Sequence, residues 1–161
     1  MDTVLSIALS VIALIFSIYV FINNRTRDRR DILMKMHDLL ISDDLQRGRY
    51  LLFDKVVDED SVDRLSDQDY RDINRAIAAF NLLGIYVKNG YVREQDVMDA
   101  WGRSIYRSWI TAQPFLSHRE KRHGYPVAVY FGSLAKRASE VLAKNGNLPE
   151  YKVLRRSQGN E

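Results

Sequence analysis

No cysteine occurs among the 161 residues. That removes disulfides, thiolate metal ligands and thiol nucleophiles together, and it fits a reducing compartment. Glycine is scarce, at eight scattered residues, and none sits in a GxxxxGK or GxGxxG phosphate loop. The GxSxG turn that presents a nucleophilic serine is absent too. The histidines number three, His37, His118 and His123. The last two are five apart, which puts them on different faces of a helix. No HExxH pair and no EF-hand loop accompanies them. No metal and no cofactor is expected. Carboxylates crowd between Asp54 and Asp72. They lie in a polar connector and a helix first turn, so they read as a solvated face rather than as a catalytic pair. With no nucleophile beside a placed base, the chain is not expected to be an enzyme, and no small-molecule substrate is indicated.

The most informative absence is charge between Thr3 and Ile22. That run reads TVLSIALSVIALIFSIYVFI. At about 1.5 Å per residue, it spans roughly 30 Å as a helix, the thickness of a bilayer's hydrocarbon core. Arg25, Arg27, Arg29 and Arg30 follow at once. A cleaved secretory signal would need a basic start and a small-x-small site. The chain instead opens Met-Asp-Thr, and the run ends in Tyr19, Val20, Phe21 and Ile22. A buried core helix would need more protein to hide it than the remaining residues supply. The expectation is a single transmembrane helix with a basic, lipid-facing stop. By the positive-inside rule the arginines lie in the cytoplasm, with the N-terminus outside. The lipid bilayer is therefore the chain's first expected partner.

Within the run, Ser6, Ser10, Ala13 and Ser17 recur at steps of four, three and four. That spacing gathers small residues on one face, where backbones in lipid approach closely. It reads as a packing seam toward another membrane protein or a second copy; the alternative is serines that bond back to their own helix.

Beyond the run, apolar residues recur at three and four, and no period-two run is evident. Ile32, Leu33, Met36, Leu39 and Leu40 make one stripe. A second helix starts at Ser42 as N-cap and carries Leu45, Tyr50, Leu51, Phe53 and Val56, weakened slightly by Gly48. DEDSVDRL, residues 58 to 65, reads as an acidic connector. A third helix opens at Ser66 and closes at Asn89-Gly90. A fourth starts near Arg93 and is broken or restarted at Pro114. The last takes residues from Val127 to Leu142. The fold class is all-α: one N-terminal transmembrane helix, then a small antiparallel bundle of about five helices. The divisions are a 1–24 anchor, a 25–41 basic juxtamembrane helix, a 42–146 cytoplasmic bundle and a 147–161 tail.

Charge divides the domain. Residues 43 to 75 hold ten acids against six bases, and residues 103 to 122 hold five bases against one acid. Arg103, Arg107, Arg119, Lys121 and Arg122 form a candidate patch for a partner or for phosphate, whether of a lipid headgroup, a nucleotide or a nucleic acid. The competing reading pairs them with the acidic half of the same chain. Nucleic acid is not the expected partner.

FNLLGIYVKNGYV at residues 80–92, the helix bearing Trp101 and Trp109, and Pro114-Phe115-Leu116 with Arg119 resemble a family of small uncharacterised bacterial and phage proteins (DUF4760-like). The resemblance covers about a quarter of the chain. It implies one N-terminal transmembrane helix and a helical cytoplasmic domain of unknown function, and it implies no catalytic residues. Some similar membrane-anchored helical proteins are linked to phage abortive infection, an analogy of fold alone.

Overall fold

A computed structural model describes residues 2–146, and for residues 2–6, 8 and 26 it describes only the backbone. Six helices follow one another: α1 Asp2–Ile41, α2 Asp43–Lys55, α3 Glu59–Asp63, α4 Asp67–Lys88, α5 Glu94–His123 and α6 Val129–Lys144. No strand occurs among the described residues. The protein is all-α, a long apolar N-terminal helix followed by a helical bundle. The tail from residue 147 lies outside the described residues.

α1 runs unbroken for 40 residues, because no glycine or proline interrupts it. Every described residue from Ile7 to Arg25 is exposed, Phe16 and Phe21 among them at 66% and 67%. Its last turns enter the core, where Met36 and Leu40 are buried. One rigid element therefore joins the apolar surface to the bundle interior.

The break between α1 and α2 is a single residue. Ser42 stands at the N-cap as expected, but its hydroxyl donates back to the Leu39 carbonyl at 2.7 Å instead of capping α2. The open carbonyls at the end of α1 are met from α2 instead. Arg49 Nη1 donates to Leu40 O at 2.6 Å, and Gln46 Nε2 donates to Ile41 O. α2 then crosses α4 at Gly48. A Cβ there would lie 2.9 Å from the Asp72 carbonyl carbon and 3.1 Å from Ala76 Cβ. Gly48 does not merely weaken α2; it permits the crossing. Tyr50, expected on the inner face, is 66% exposed.

The stretch expected to be a connector contains α3, which is capped reciprocally. Asp58 Oδ1 accepts from Ser61 N at 2.8 Å, and Ser61 Oγ accepts from Asp58 N at 3.2 Å. Ser66 caps α4 by accepting from Asp69 N at 3.1 Å. Gly90, at φ +69°, follows the end of α4 in the left-handed region that glycine enters freely.

α5 does not break at Pro114. It continues through the proline to His123. An interior proline costs about 3 kcal/mol, and the next two residues offset it: Phe115 is fully buried, against the Tyr70 ring at 4.7 Å, and Leu116 is buried. α6 starts at Val129 rather than Val127, after Ala128 at φ 54°. The sequence offers no serine or aspartate there. The cap comes from another helix: Asn81 Oδ1 on α4 accepts from the backbone N–H groups of Tyr130 and Phe131 at 3.0 and 3.1 Å.

Phe80, Phe115, Phe131, Ile73, Leu83 and Ile105 centre the core. The Phe80 and Phe131 rings stack at 5.0 Å, and Trp109 meets Phe131 edge-on at 5.1 Å.

Candidate functional site

The contacts orient the bundle relative to α1. Ile32, Lys35, Met36 and Leu39 of α1 line a groove of about 600 Å³ together with Leu82, Tyr86 and Tyr91. The α4–α5 turn thus lies beside the part of α1 that follows the arginines, and this is the near end of the bundle. α5 starts there and runs away from it. At its other end His118 Nδ1 lies 3.7 Å from Asp63, and Lys121 Nζ reaches Glu59 at 2.5 Å. This far end joins α3 to the last turns of α5. α6 returns antiparallel to α5, with Phe131 and Gly132 against Trp109 and then Arg137 on Glu94 at 3.0 Å.

This orientation disperses the five basic residues singled out from the sequence. Arg103 to Arg122 spans 19 residues of one helix, about 28 Å. Arg107 lies over the Phe53 ring at 4.2 Å, and Arg119 donates to Asn74 Oδ1 on α4. Lys121 engages the acidic stretch through Glu59. Arg103 and Arg122 are exposed. Two of the five are therefore held within the chain by α2 and α4, and one by an acid of α3. The ion pair at Lys121 is solvent-washed and worth at most about 1 kcal/mol.

Of the apolar-helix residues, Ser10, Ala13 and Ser17 are exposed, and the side chain of Ser6 lies outside the described residues. Arg25, Arg27 and Arg30 are exposed and Arg29 is half-buried. Among the described residues, no group of three or more His, Cys, Asp or Glu side chains is placed to hold a metal ion.

The buried charges on α4 serve the fold. Asp72 is buried and takes Arg47 at 3.3 Å and Gln68 at 2.8 Å. Lys55 donates to Asp69 at 2.7 Å, and with Ser66 it holds that carboxyl below its ordinary range. Burial lowers the Arg49 guanidinium, which also faces the Trp101 ring at 5.8 Å. Arg137 is raised, chiefly by the charge of Glu94 and its bond to Glu140.

Sequence reasoning missed Asn81, Arg49 and the three glycines at crossings. No local signal marks them, because each acts on a segment distant in sequence. A Cβ on Gly84 would lie 2.7 Å from the Tyr130 carbonyl carbon, and one on Gly132 would lie 2.8 Å from Trp109 Cη2. It also missed a second cleft, of about 530 Å³, between α4 and α6 at the near end. Gly84, Lys88, Tyr130, Ser133 and Arg137 are among its lining residues.

An exposed apolar helix continuous with a small all-α bundle defines the class of protein. Residues 4–138 match the family described as DUF4760, a domain of unknown function, and the chain belongs to that family. No curated protein and no solved structure matches the chain.

Proposed function

We propose that this protein is a single-pass, membrane-anchored helical protein that acts by binding other proteins rather than by catalysis. It would serve as a scaffold, accessory subunit or regulator at the bacterial inner membrane. The observation that carries the reading is the bare first half of α1. A 33-residue stretch, Leu9–Ile41, holds a window long and apolar enough to cross a bilayer, and none of that window is buried in the protein. Side chains such as Ile12, Ile15, Phe16 and Phe21 form apolar surface on every side of the helix. A soluble monomer seldom leaves so large a contiguous apolar surface in water. Lipid covers it without a protein partner.

The arginines at 25, 27, 29 and 30 set the orientation, with the bundle in the cytoplasm and the N-terminus outside. The partner is another membrane protein or a second copy, meeting the face of Ser6, Ser10, Ala13 and Ser17. The unbroken helix supports a role in which contact inside the bilayer is felt in the bundle, since Met36 and Leu40 move with the span. The intramolecular engagement of Arg107, Arg119 and Lys121 weighs against their gathering one phosphate.

The test has two arms. Alkaline carbonate washing of membranes should leave the full chain in the pellet; release into the supernatant refutes the anchor. Crosslinking in native membranes should trap a copy or a second membrane protein; a strictly monomeric chain refutes the binding role.

A further inference from the structure

We infer that the near end of the bundle is drawn toward the anionic headgroups of the same bilayer, with Lys88, Lys136 and Lys144 supplying the positive charge that lipid phosphate attracts. This inference rests on the membrane reading of α1.

Ile32, beside the α4–α5 turn, is ten residues past Ile22, or about 15 Å along a continuous helix. The headgroup layer occupies about 5–7 Å of that distance. The attraction of an anionic leaflet extends about a Debye length, 8–10 Å, beyond it. α6 narrows the gap further. Antiparallel to α5, it passes Glu94 at Arg137 and continues seven residues to Lys144, about 10 Å nearer the surface.

Along the same faces, Arg93 is paired with Asp96 and Arg137 with Glu94 and Glu140. Lys88, Lys136 and Lys144 are exposed, and no ion pair engages them among the described residues. Lys88 is nonetheless held in place, its ammonium 4.8 Å above the Tyr130 ring. It stands on the cleft of about 530 Å³ that the Ser133 side chain also lines. A phosphodiester there would take the ammonium as counter-charge. At the far end Lys121 and His118 face the acids of α3.

The absence of native cysteine makes the test direct. Single-cysteine variants Asn89→Cys (near end), Arg122→Cys (far end) and Val20→Cys (span) of the full chain carry a fluorophore in nanodiscs. The discs are phosphatidylcholine alone or phosphatidylcholine with phosphatidylglycerol, and they contain spin-labelled quencher lipids. Quenching is expected at residue 89 in the anionic discs, much less in the neutral ones, and not at residue 122. Replacing the lysines (Lys88→Gln, Lys136→Gln, Lys144→Gln) should lower the docked-to-undocked ratio about fivefold for each lysine lost. All three are exposed, so the fold should persist, and unchanged far-UV circular dichroism confirms it. Equal quenching at residue 89 in both lipids, no quenching there, or no effect of the lysine variants overturns the inference. Quenching at residue 20 decides the anchor separately. If it is absent, the membrane reading fails; if it is present while residue 89 stays bright, only the headgroup contact fails.

Discussion

The same substitution, glycine to alanine, should have opposite signs at two positions in this bundle. In a helix interior, alanine is favoured over glycine by about 0.8–1 kcal/mol. At Gly102, in α5, the new methyl would meet only Met98, at 3.9 Å. The propensity gain survives intact, and Gly102→Ala should stabilise the bundle by about 1 kcal/mol. At Gly84, in α4, the methyl would stand 2.7 Å from the carbonyl carbon of Tyr130 and 3.0 Å from its Cβ. Ordinary contact begins near 3.4 Å, and these are atoms of the opposing helix that no rotamer change can withdraw. α4 and α6 must separate, loosening the Phe80–Phe131 stack beside the crossing. Overpacking of this kind costs about 1–3 kcal/mol and occasionally more, and backbone contact argues for the upper part of that range. After the propensity gain, Gly84→Ala should lose about 2 kcal/mol. At roughly 4–8 °C per kcal/mol for a domain of this size, the two variants should melt about 12–24 °C apart. Tryptophan fluorescence of the full chain in mild detergent is a suitable assay, because Trp101 and Trp109 are the only tryptophans and both lie in α5. Equal shifts, or a Gly84→Ala protein that melts higher than wild type, would refute the close crossing.

Three further outcomes follow from single side chains. Asn81→Ala removes the acceptor for the first N–H groups of α6 and should cost about 1–2 kcal/mol, whereas Asn81→Asp keeps an acceptor and should recover most of it; equal losses in denaturant titrations would count against the cross-helix cap. The Ser108 hydroxyl is fully buried with no hydrogen-bond partner among the described residues, so Ser108→Ala should raise stability by about 1 kcal/mol, and a loss would show that the hydroxyl is satisfied. The Asp69 carboxyl is held low in the folded state, chiefly by Lys55 and Ser66, so it binds its proton more readily when unfolded. Its contribution is present above the ordinary aspartate range near 4 and is lost as pH falls through the lowered folded value. Lys55→Met should therefore move acid unfolding to higher pH, and an unmoved acid transition would reject the pairing.

Much of this architecture is local in origin. The uncharged run and the period of three and four fixed an apolar helix and an all-helical bundle, because both are properties of a segment taken alone. Ser66 and Asn89-Gly90 marked the ends of α4 for the same reason: caps act within a few residues of themselves. The absence of glycine and proline through residue 47 made α1 continuous, which follows from helix propensity with no help from packing.

Tertiary structure decided whatever needed a second segment. Pro114 breaks a helix in isolation; here the buried Phe115 and Leu116 carry α5 past it. Gly48 and Gly84 look like weak points along their own helices, and only the crossing partner gives the missing Cβ its reason. α6 has no capping residue at its start, because the cap belongs to Asn81, some fifty residues earlier. The basic residues of α5 looked like one patch because they are near in sequence. A helix spreads them along its length and around its circumference, and α2, α3 and α4 then engage three of them. Near and far ends of the bundle are likewise invisible in the one-dimensional text, since they depend on how α4, α5 and α6 pack beside α1.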